Sequence, residues 1–155
     1  MIDRGIQSMV KNALEPSWEV RFEGCSYGFR PGRGCHDAIE KMFKIASPKN
    51  RKKWVLDADI KGAFDHISHE HLLATIGRVP GYELIKQWLK AGYVDKGVFH
   101  ETEAGTPQGG VISPLLANIA LHGMEEALGI KHRKRGELDS KRALVRYADD
   151  FCGAI

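Results

Sequence analysis

What the chain lacks narrows the field first. No apolar run approaches the roughly 20 residues that a membrane-spanning helix needs, and no targeting segment is visible. Cysteine is sparse: Cys25, Cys35 and Cys152 are the only three, and none stands in a paired metal spacing. An odd count without a signal peptide points to reduced thiols in a reducing compartment. Internal repeats and low-complexity tracts are absent. Charge of one sign is not in excess either. The 23 Lys and Arg against 20 Asp and Glu leave a net charge of +3, too little to imply a nucleic-acid partner by itself. The rest of the composition is ordinary for a soluble globular protein. The 155 residues suffice for one domain with its own core.

The distribution of charge says more than its sum. Lys49-Asn-Arg-Lys-Lys53 and Lys131-His-Arg-Lys-Arg135 are basic clusters. Each suits phosphate contact, and each is equally readable as a solvated loop. Acidic residues are placed more tellingly. Arg146-Tyr147-Ala148-Asp149-Asp150-Phe151 lies between the apolar runs Ala143-Leu144-Val145 and Gly153-Ala154-Ile155. That pattern reads as a β-hairpin with two carboxylates at its tip. Taken alone, it is a solvated Asp-Asp turn. A second stretch changes the weighing. In Trp54-Val55-Leu56-Asp57-Ala58-Asp59-Ile60, the period of two puts Trp54, Leu56, Ala58 and Ile60 on one face and Asp57 and Asp59 on the other. A strand carrying Asp59 beside a hairpin carrying Asp149 and Asp150 would bring three carboxylates together. Adjacent carboxylates repel unless solvent or a cation intervenes. Mg²⁺ takes oxygen ligands, few of them from protein. Two such ions roughly 3.5–4 Å apart can activate an attacking hydroxyl and stabilise a leaving pyrophosphate.

Four boxes in this order resemble one family. Tyr147-Ala148-Asp149-Asp150 is similar to the active-site box of reverse transcriptases, and Asp59 followed by Phe64 to their first catalytic box. Gly105-Thr-Pro-Gln-Gly-Gly-Val-Ile-Ser-Pro-Leu-Leu-Ala-Asn118 resembles the box preceding the hairpin, and Ser26-Tyr-Gly-Phe-Arg-Pro-Gly-Arg33 the fingers box. The wording is closest to group II intron-encoded reverse transcriptase/maturases. The resemblance implies an α/β fold: an antiparallel palm sheet backed by helices, with part of the fingers. It places fingers at about 1–48 and 75–106 and palm at about 49–74 and 107–155. It further implies a chain continuing into more palm, a helical thumb and often DNA-binding and endonuclease parts. The thumb and C-terminal domains are expected to be absent from these 155 residues.

Residue roles follow from the same resemblance. Asp59, Asp149 and Asp150 are the expected catalytic metal ligands for two Mg²⁺ ions. The Ile60 carbonyl is an added ligand, and Asp57 is supporting. Arg30 and Arg33, in a Gly- and Arg-rich loop that alone reads as a turn facing solvent, are candidates for the triphosphate. Phe64 is expected under the sugar of the incoming nucleotide, where a ring would exclude a 2′-hydroxyl; as a bare residue it reads equally as a buried Phe. Gln108 is expected near the sugar and base, with Gly109 and Gly110 beside the nascent pair.

The remaining patterns are structural. Apolar residues recur at helical spacing over about 3–14, with Pro16 as the limit, and again over about 36–46. Ser68 caps a helix to Ile76 that Gly77 ends, and another runs over about 82–91. Tyr93–Val94 and Val98–Phe99 flank a hairpin turn. Ser113 and Pro114 open a helix expected to reach Leu128. His66, His69 and His71 are close, with Glu70 between; His69-Glu70-His71 is not the spacing that puts two imidazoles on one helix face, and all three read as surface residues rather than a zinc site.

The expected function is RNA-directed DNA polymerisation: a primer 3′-hydroxyl attacks a deoxynucleoside triphosphate on an RNA template. The expected partners are RNA template, DNA primer, dNTP and intron RNA, with no membrane. The expected location is the bacterial cytoplasm, an organelle being left open. An RNA-binding maturase module that aids splicing without polymerising is the alternative, and an inactive truncated remnant a third. Without a thumb the chain should hold primer–template weakly, since phosphate contacts supply most of the affinity.

Overall fold

The computed structural model describes residues 2–47, 52, 54–106, 109–133, 138 and 141–155. Gln108 lies outside these residues, as do Lys49, Asn50, Arg51 and Lys53 of the first basic cluster and Lys134 and Arg135 of the second. In chain order the elements are α1 (Ile2–Glu19), α2 (Cys35–Ala46), β1 (Val55–Asp59), α3 (Ala63–His66), α4 (His69–Ile76), α5 (Tyr82–Leu89), β2 (Tyr93–Asp95), β3 (Val98–His100), α6 (Ser113–Ala120), α7 (Met124–Ala127), β4 (Ala143–Tyr147) and β5 (Asp150–Ala154). This is the mixed helix-and-sheet architecture expected, with antiparallel strands. Among the described residues no helix is long and apolar enough to cross a membrane.

Two helices differ from expectation for local reasons. α1 does not stop before Pro16 but runs through it to Glu19. Proline costs that turn a backbone donor. The turn is held instead by Trp18, which is buried, and by the Ser17 hydroxyl, which donates to the Leu14 carbonyl at 2.8 Å. The helix opening at Ser113 ends at Ala120, and a separate short helix, α7, follows Gly123. Ser68 does cap α4, its hydroxyl accepting from the His71 amide at 3.3 Å, and the Gly77 amide closes the helix on the Leu73 carbonyl.

The chain divides into two compact units: Met1–Arg21 with Gly62–Ala120, and Phe22–Lys61 with Leu121–Ile155. The first is mainly helical. Its interior is built from Val10, Leu14 and Trp18 of α1, Leu72 and Ile76 of α4, Ile85 and Leu89 of α5, and Leu115, Leu116 and Ile119 of α6. Asp3 ties α1 to α5 by accepting from the Trp88 indole at 2.8 Å, and Gln7 accepts from the Val111 amide at 3.0 Å.

The second unit is built on a sheet of order β1-β5-β4. Alternation along β4 sends Leu144 and Val145 to opposite faces. Leu144 packs with Cys25 and Ile130, joined by Met124 and Phe151. Val145 packs with Tyr27 and Ala38, joined by Met42 and Ile45 of α2. Of the two outer strands, β4 is buried over Ala143–Arg146, whereas β1 has Val55 and Leu56 exposed, with Trp54 exposed just before it.

Candidate active site at the acidic hairpin

Three predicted site residues meet at one end of the second unit's sheet. β1 runs antiparallel to β5 with Asp59 opposite Asp150, Asp57 opposite Cys152 and Val55 opposite Ala154. Beyond the last strand pair, the Ile60 amide donates to the Asp149 carbonyl at 3.3 Å. At the far end Trp54 and Ile155 exchange both backbone bonds, at 3.2 and 3.0 Å. An antiparallel ladder alternates wide hydrogen-bonded pairs with narrow non-bonded ones. Asp59 and Asp150 therefore form a narrow pair, with Cα atoms about 4.5 Å apart and side chains on one face. Both are exposed, and Asp149 beside them is half-buried.

Two carboxylates facing each other across a narrow pair repel. Nothing in the packing requires them there. Among the described residues no three His, Cys, Asp or Glu side chains close into a cage for an ion. The expected convergence is thus an opposed pair with a third carboxylate next to it, not a preformed three-donor site. That donor set suits Mg²⁺, which dehydrates reluctantly and is held by one or two carboxylates with substrate phosphate and water completing the shell. It suits a cage-demanding ion such as Ca²⁺ less well.

The turn that carries Asp149 is held from behind. Ala148 adopts φ +58, a left-handed conformation that costs an L-residue roughly 1–2 kcal/mol. Arg146, only 1% exposed, donates from Nη1 to the Ala148 carbonyl at 2.9 Å and from Nη2 to the Ser26 hydroxyl at 2.8 Å. Around it, the Arg146 amide donates to the Cys25 carbonyl at 2.8 Å and the Tyr27 amide to the Arg146 carbonyl at 2.9 Å. Gly28 then passes so close to the turn that a Cβ there would lie 2.3 Å from the Ala148 nitrogen. Burial pulls the Arg146 guanidinium below its ordinary range. Burial also pushes the Cys25 thiol far up, with Glu125 and Glu23 adding to it. Cys25 is therefore neutral, and the carboxylate of Glu23 is the negative charge that favours the buried guanidinium.

The same loop holds the two arginines expected at a triphosphate. Arg30 is buried, its Nη1 donating to the carbonyls of Glu23 at 2.8 Å and Ser26 at 2.7 Å, its guanidinium over the Phe22 ring. Arg33 is half-buried, donates to the Gly24 carbonyl at 3.1 Å and lies over the Tyr27 ring.

The first unit brings together three other predicted residues. Phe64, Gly109, Gly110, Ser113 and Pro114 line a cleft of about 440 Å³. The segment entering it is clamped: the Thr106 amide donates to the Phe64 carbonyl at 2.7 Å and the Gly105 amide to the Ile67 carbonyl at 2.8 Å. Gly105 has φ +89, and a Cβ on it would lie 2.8 Å from the carbonyl oxygens of Phe64 and Asp65. His69 is not at the surface as expected. It is buried, with Nε2 on the Gly105 carbonyl at 2.7 Å.

Arg146 and His69 were the residues that the sequence reading left without a role. A signal for Arg146 exists: the period of two along β4 puts it on the same inward face as Leu144, where an unsupported charge is costly. For His69 no comparable signal exists, because its partner is a backbone carbonyl 36 residues away.

The fold defines the class first: helices backing an antiparallel sheet with carboxylates at its hairpin end, the palm arrangement of nucleotide polymerases. The chain belongs to the reverse transcriptase (RNA-dependent DNA polymerase) family, whose model matches residues 1–154. It is 42% identical over 128 residues to the group II intron-encoded protein LtrA of Lactococcus lactis subsp. cremoris, covering 80% of this chain and 21% of LtrA. It is 36% identical over 179 residues to protein YkfC of Escherichia coli K12, covering 96% of this chain and 47% of YkfC. Nuclear intron maturase 1, mitochondrial, of Arabidopsis thaliana is 27% identical over 96% of this chain, which spans 18% of that protein. Among solved structures, an apo telomerase from Candida tropicalis matches with a TM-score of 0.53 at 18% identity, over 98% of this chain and 33% of that one. The last likeness shows the fold.

Proposed function

We propose that the chain contributes the catalytic carboxylates of an RNA-directed DNA polymerase of the group II intron type. The observation that carries this reading is the Asp59–Asp150 pair: like charges set face to face on adjacent strands, with Asp149 next to them. Asp59 and Asp149 are the chief holders of Mg²⁺, with Asp150 assisting and the Ile60 carbonyl as an added oxygen ligand. Two ions bound there would lower the pKa of a primer 3′-hydroxyl and neutralise charge on the departing pyrophosphate.

The chain's own groups do the rest. Arg33, half-buried at the outer part of its loop, is assigned to the triphosphate. Arg30 is assigned to it as well; in this structure each of the two arginines has its Nη1 on two backbone carbonyls of the loop. Phe64 and Gly109, which line one cleft, and Gln108 are assigned to the sugar and base of the incoming dNTP. Family membership supports those roles, as it supports the division into fingers (about 1–48 and 75–106) and palm (about 49–74 and 107–155). The division by packing follows other boundaries. RNA template, DNA primer and intron RNA are the macromolecular partners proposed. A second reading, a maturase that assists splicing, is favoured by the intron maturase among the relatives. It is compatible with the first.

The test uses Asp149→Asn and Asp59→Asn in the gene's full product. Primer extension should fall at least about 100-fold in both. In EDTA, Asp59→Asn should also stabilise the protein to thermal unfolding, by roughly 0.2–1 kcal/mol, because it relieves a directly opposed like-charge pair. Extension that survives either substitution overturns the assignment.

A further inference from the structure

A charged side chain at 1% exposure inside a strand needs a reason. Packing is not one: Leu144 and Phe151 fill the same face of the sheet with apolar groups, and an apolar residue at 146 would extend it. What a guanidinium alone can do here is span two acceptors on two segments. Its Nη1 reaches the Ala148 carbonyl inside the catalytic turn, and its Nη2 reaches the Ser26 hydroxyl in the loop behind. The planar fork fixes the distance between those acceptors. The turn needs such a fixture, because Ala148 is held at φ +58 without being glycine. Gly28 presses on the same residue from the loop side. Arg146, Ser26, Gly28 and Ala148 are thus joined around the turn.

We propose that Arg146 is a positioning residue: it locks the Ala148 turn so that Asp149 is presented beside Asp59 and Asp150 for metal. This rests on the metal reading of those carboxylates given above. Arg146, buried behind the turn, acts through the backbone of Ala148.

The test compares the parent with Arg146→Lys and Ser26→Ala in the gene's full product. Lysine keeps the charge but is a point donor that cannot bridge both acceptors in one plane. Ser26→Ala removes only the far anchor. Mn²⁺ binding is read by electron paramagnetic resonance of the free ion, and amide exchange of residues 146–150 by mass spectrometry. For Arg146→Lys the Mn²⁺ midpoint should rise about tenfold, the scale typical when a group orienting a metal ligand is lost. Exchange in 146–150 should quicken while the rest of β4 and β5 keeps parental protection. Ser26→Ala should move both readouts the same way by a smaller factor. In primer extension the loss should appear in kcat at saturating dNTP, with KM for primer–template unchanged.

A folded Arg146→Lys protein with parental midpoint and parental exchange overturns the proposal. If that variant does not fold, parental values in Ser26→Ala overturn it instead. A parent that binds no Mn²⁺ overturns the metal reading and, with it, the metal half of the proposal. The exchange data then decide on their own whether Arg146 locks the turn.

Discussion

Gly28→Ala is the sharpest perturbation of the site that adds only one methyl group. Gly28 has no positive φ, so its backbone would accept alanine; the obstacle is space. The added Cβ would lie 2.3 Å from the Ala148 nitrogen, 2.9 Å from its Cα and 3.0 Å from its Cβ. Two of these are main-chain atoms, which cannot rotate away as the end of a long side chain can. Nor can the turn retreat freely, since Arg146 holds its carbonyl at 2.9 Å. Overpacking of this kind costs about 1–3 kcal/mol. For a chain of this length, 1 kcal/mol corresponds to about 2–4 °C in Tm, so Gly28→Ala should melt about 2–12 °C lower. The control is Gly24→Ala in the same loop, where no atom lies within 4 Å of the added Cβ. There the smaller entropy of the unfolded alanine chain should leave Tm unchanged or raise it by about 1–4 °C. The assay is thermal denaturation by circular dichroism, with Mn²⁺ binding measured on the same samples. Equal melting of the two variants would show that the turn has slack, and the brace around Ala148 would lose its basis.

Other outcomes test the same picture. His69→Ala should cost about 1–3 kcal/mol, because it leaves the buried Gly105 carbonyl without its side-chain donor. His71→Ala, at an exposed position, should cost less than about 0.5 kcal/mol. Urea denaturation of the two separates them, and equal losses would count against a clamping role for His69. Cysteine chemistry gives a pH-dependent check. Burial raises both Cys25 and Cys152, with nearby carboxylates adding to each, whereas Cys35 is exposed. A raised pKa means less thiolate at a given pH. Between pH 7 and 9 iodoacetamide should therefore label Cys35 first, Cys152 more slowly and Cys25 only on unfolding. Peptide mapping that finds Cys25 labelled early in the folded protein would contradict its burial.

The acidic strand and hairpin were legible because a period of two is a local signal, and the acidic residues interrupt it at fixed places. Ser68 and Gly77 marked α4 for the same reason: caps are chosen within one turn of the helix they end. What escaped was non-local. Pro16 looked like a stop, but tertiary burial of Trp18 carries α1 past it. The helix from Ser113 looked continuous because Leu, Ala and Glu on either side favour helix, yet Gly123 at φ +91 separates α6 from α7. It breaks where the chain leaves one compact unit for the other. His69 read as solvent-facing because its acceptor is the carbonyl of a glycine 36 positions later. Arg146 was visible as a residue and unread as a brace, since both its acceptors are set by the packing of residues 26–28 on the turn.

The strand order has a consequence for how the protein is made. β1 has β5 as its neighbour in the sheet, and β5 follows every other strand of the described residues in chain order. A ribosome adds about 5–20 residues per second, so the roughly 90 residues between them take on the order of 5–20 seconds to appear. During that interval Trp54, Val55 and Leu56 form an unpaired strand edge, the kind of surface that recruits other strands. The helical segments between, whose contacts are local, can settle meanwhile. The carboxylates meet only when the final hairpin docks. A nascent chain therefore acquires its candidate metal site only once β5 has emerged, and holdase chaperones that bind extended apolar segments would find their target in β1 until then.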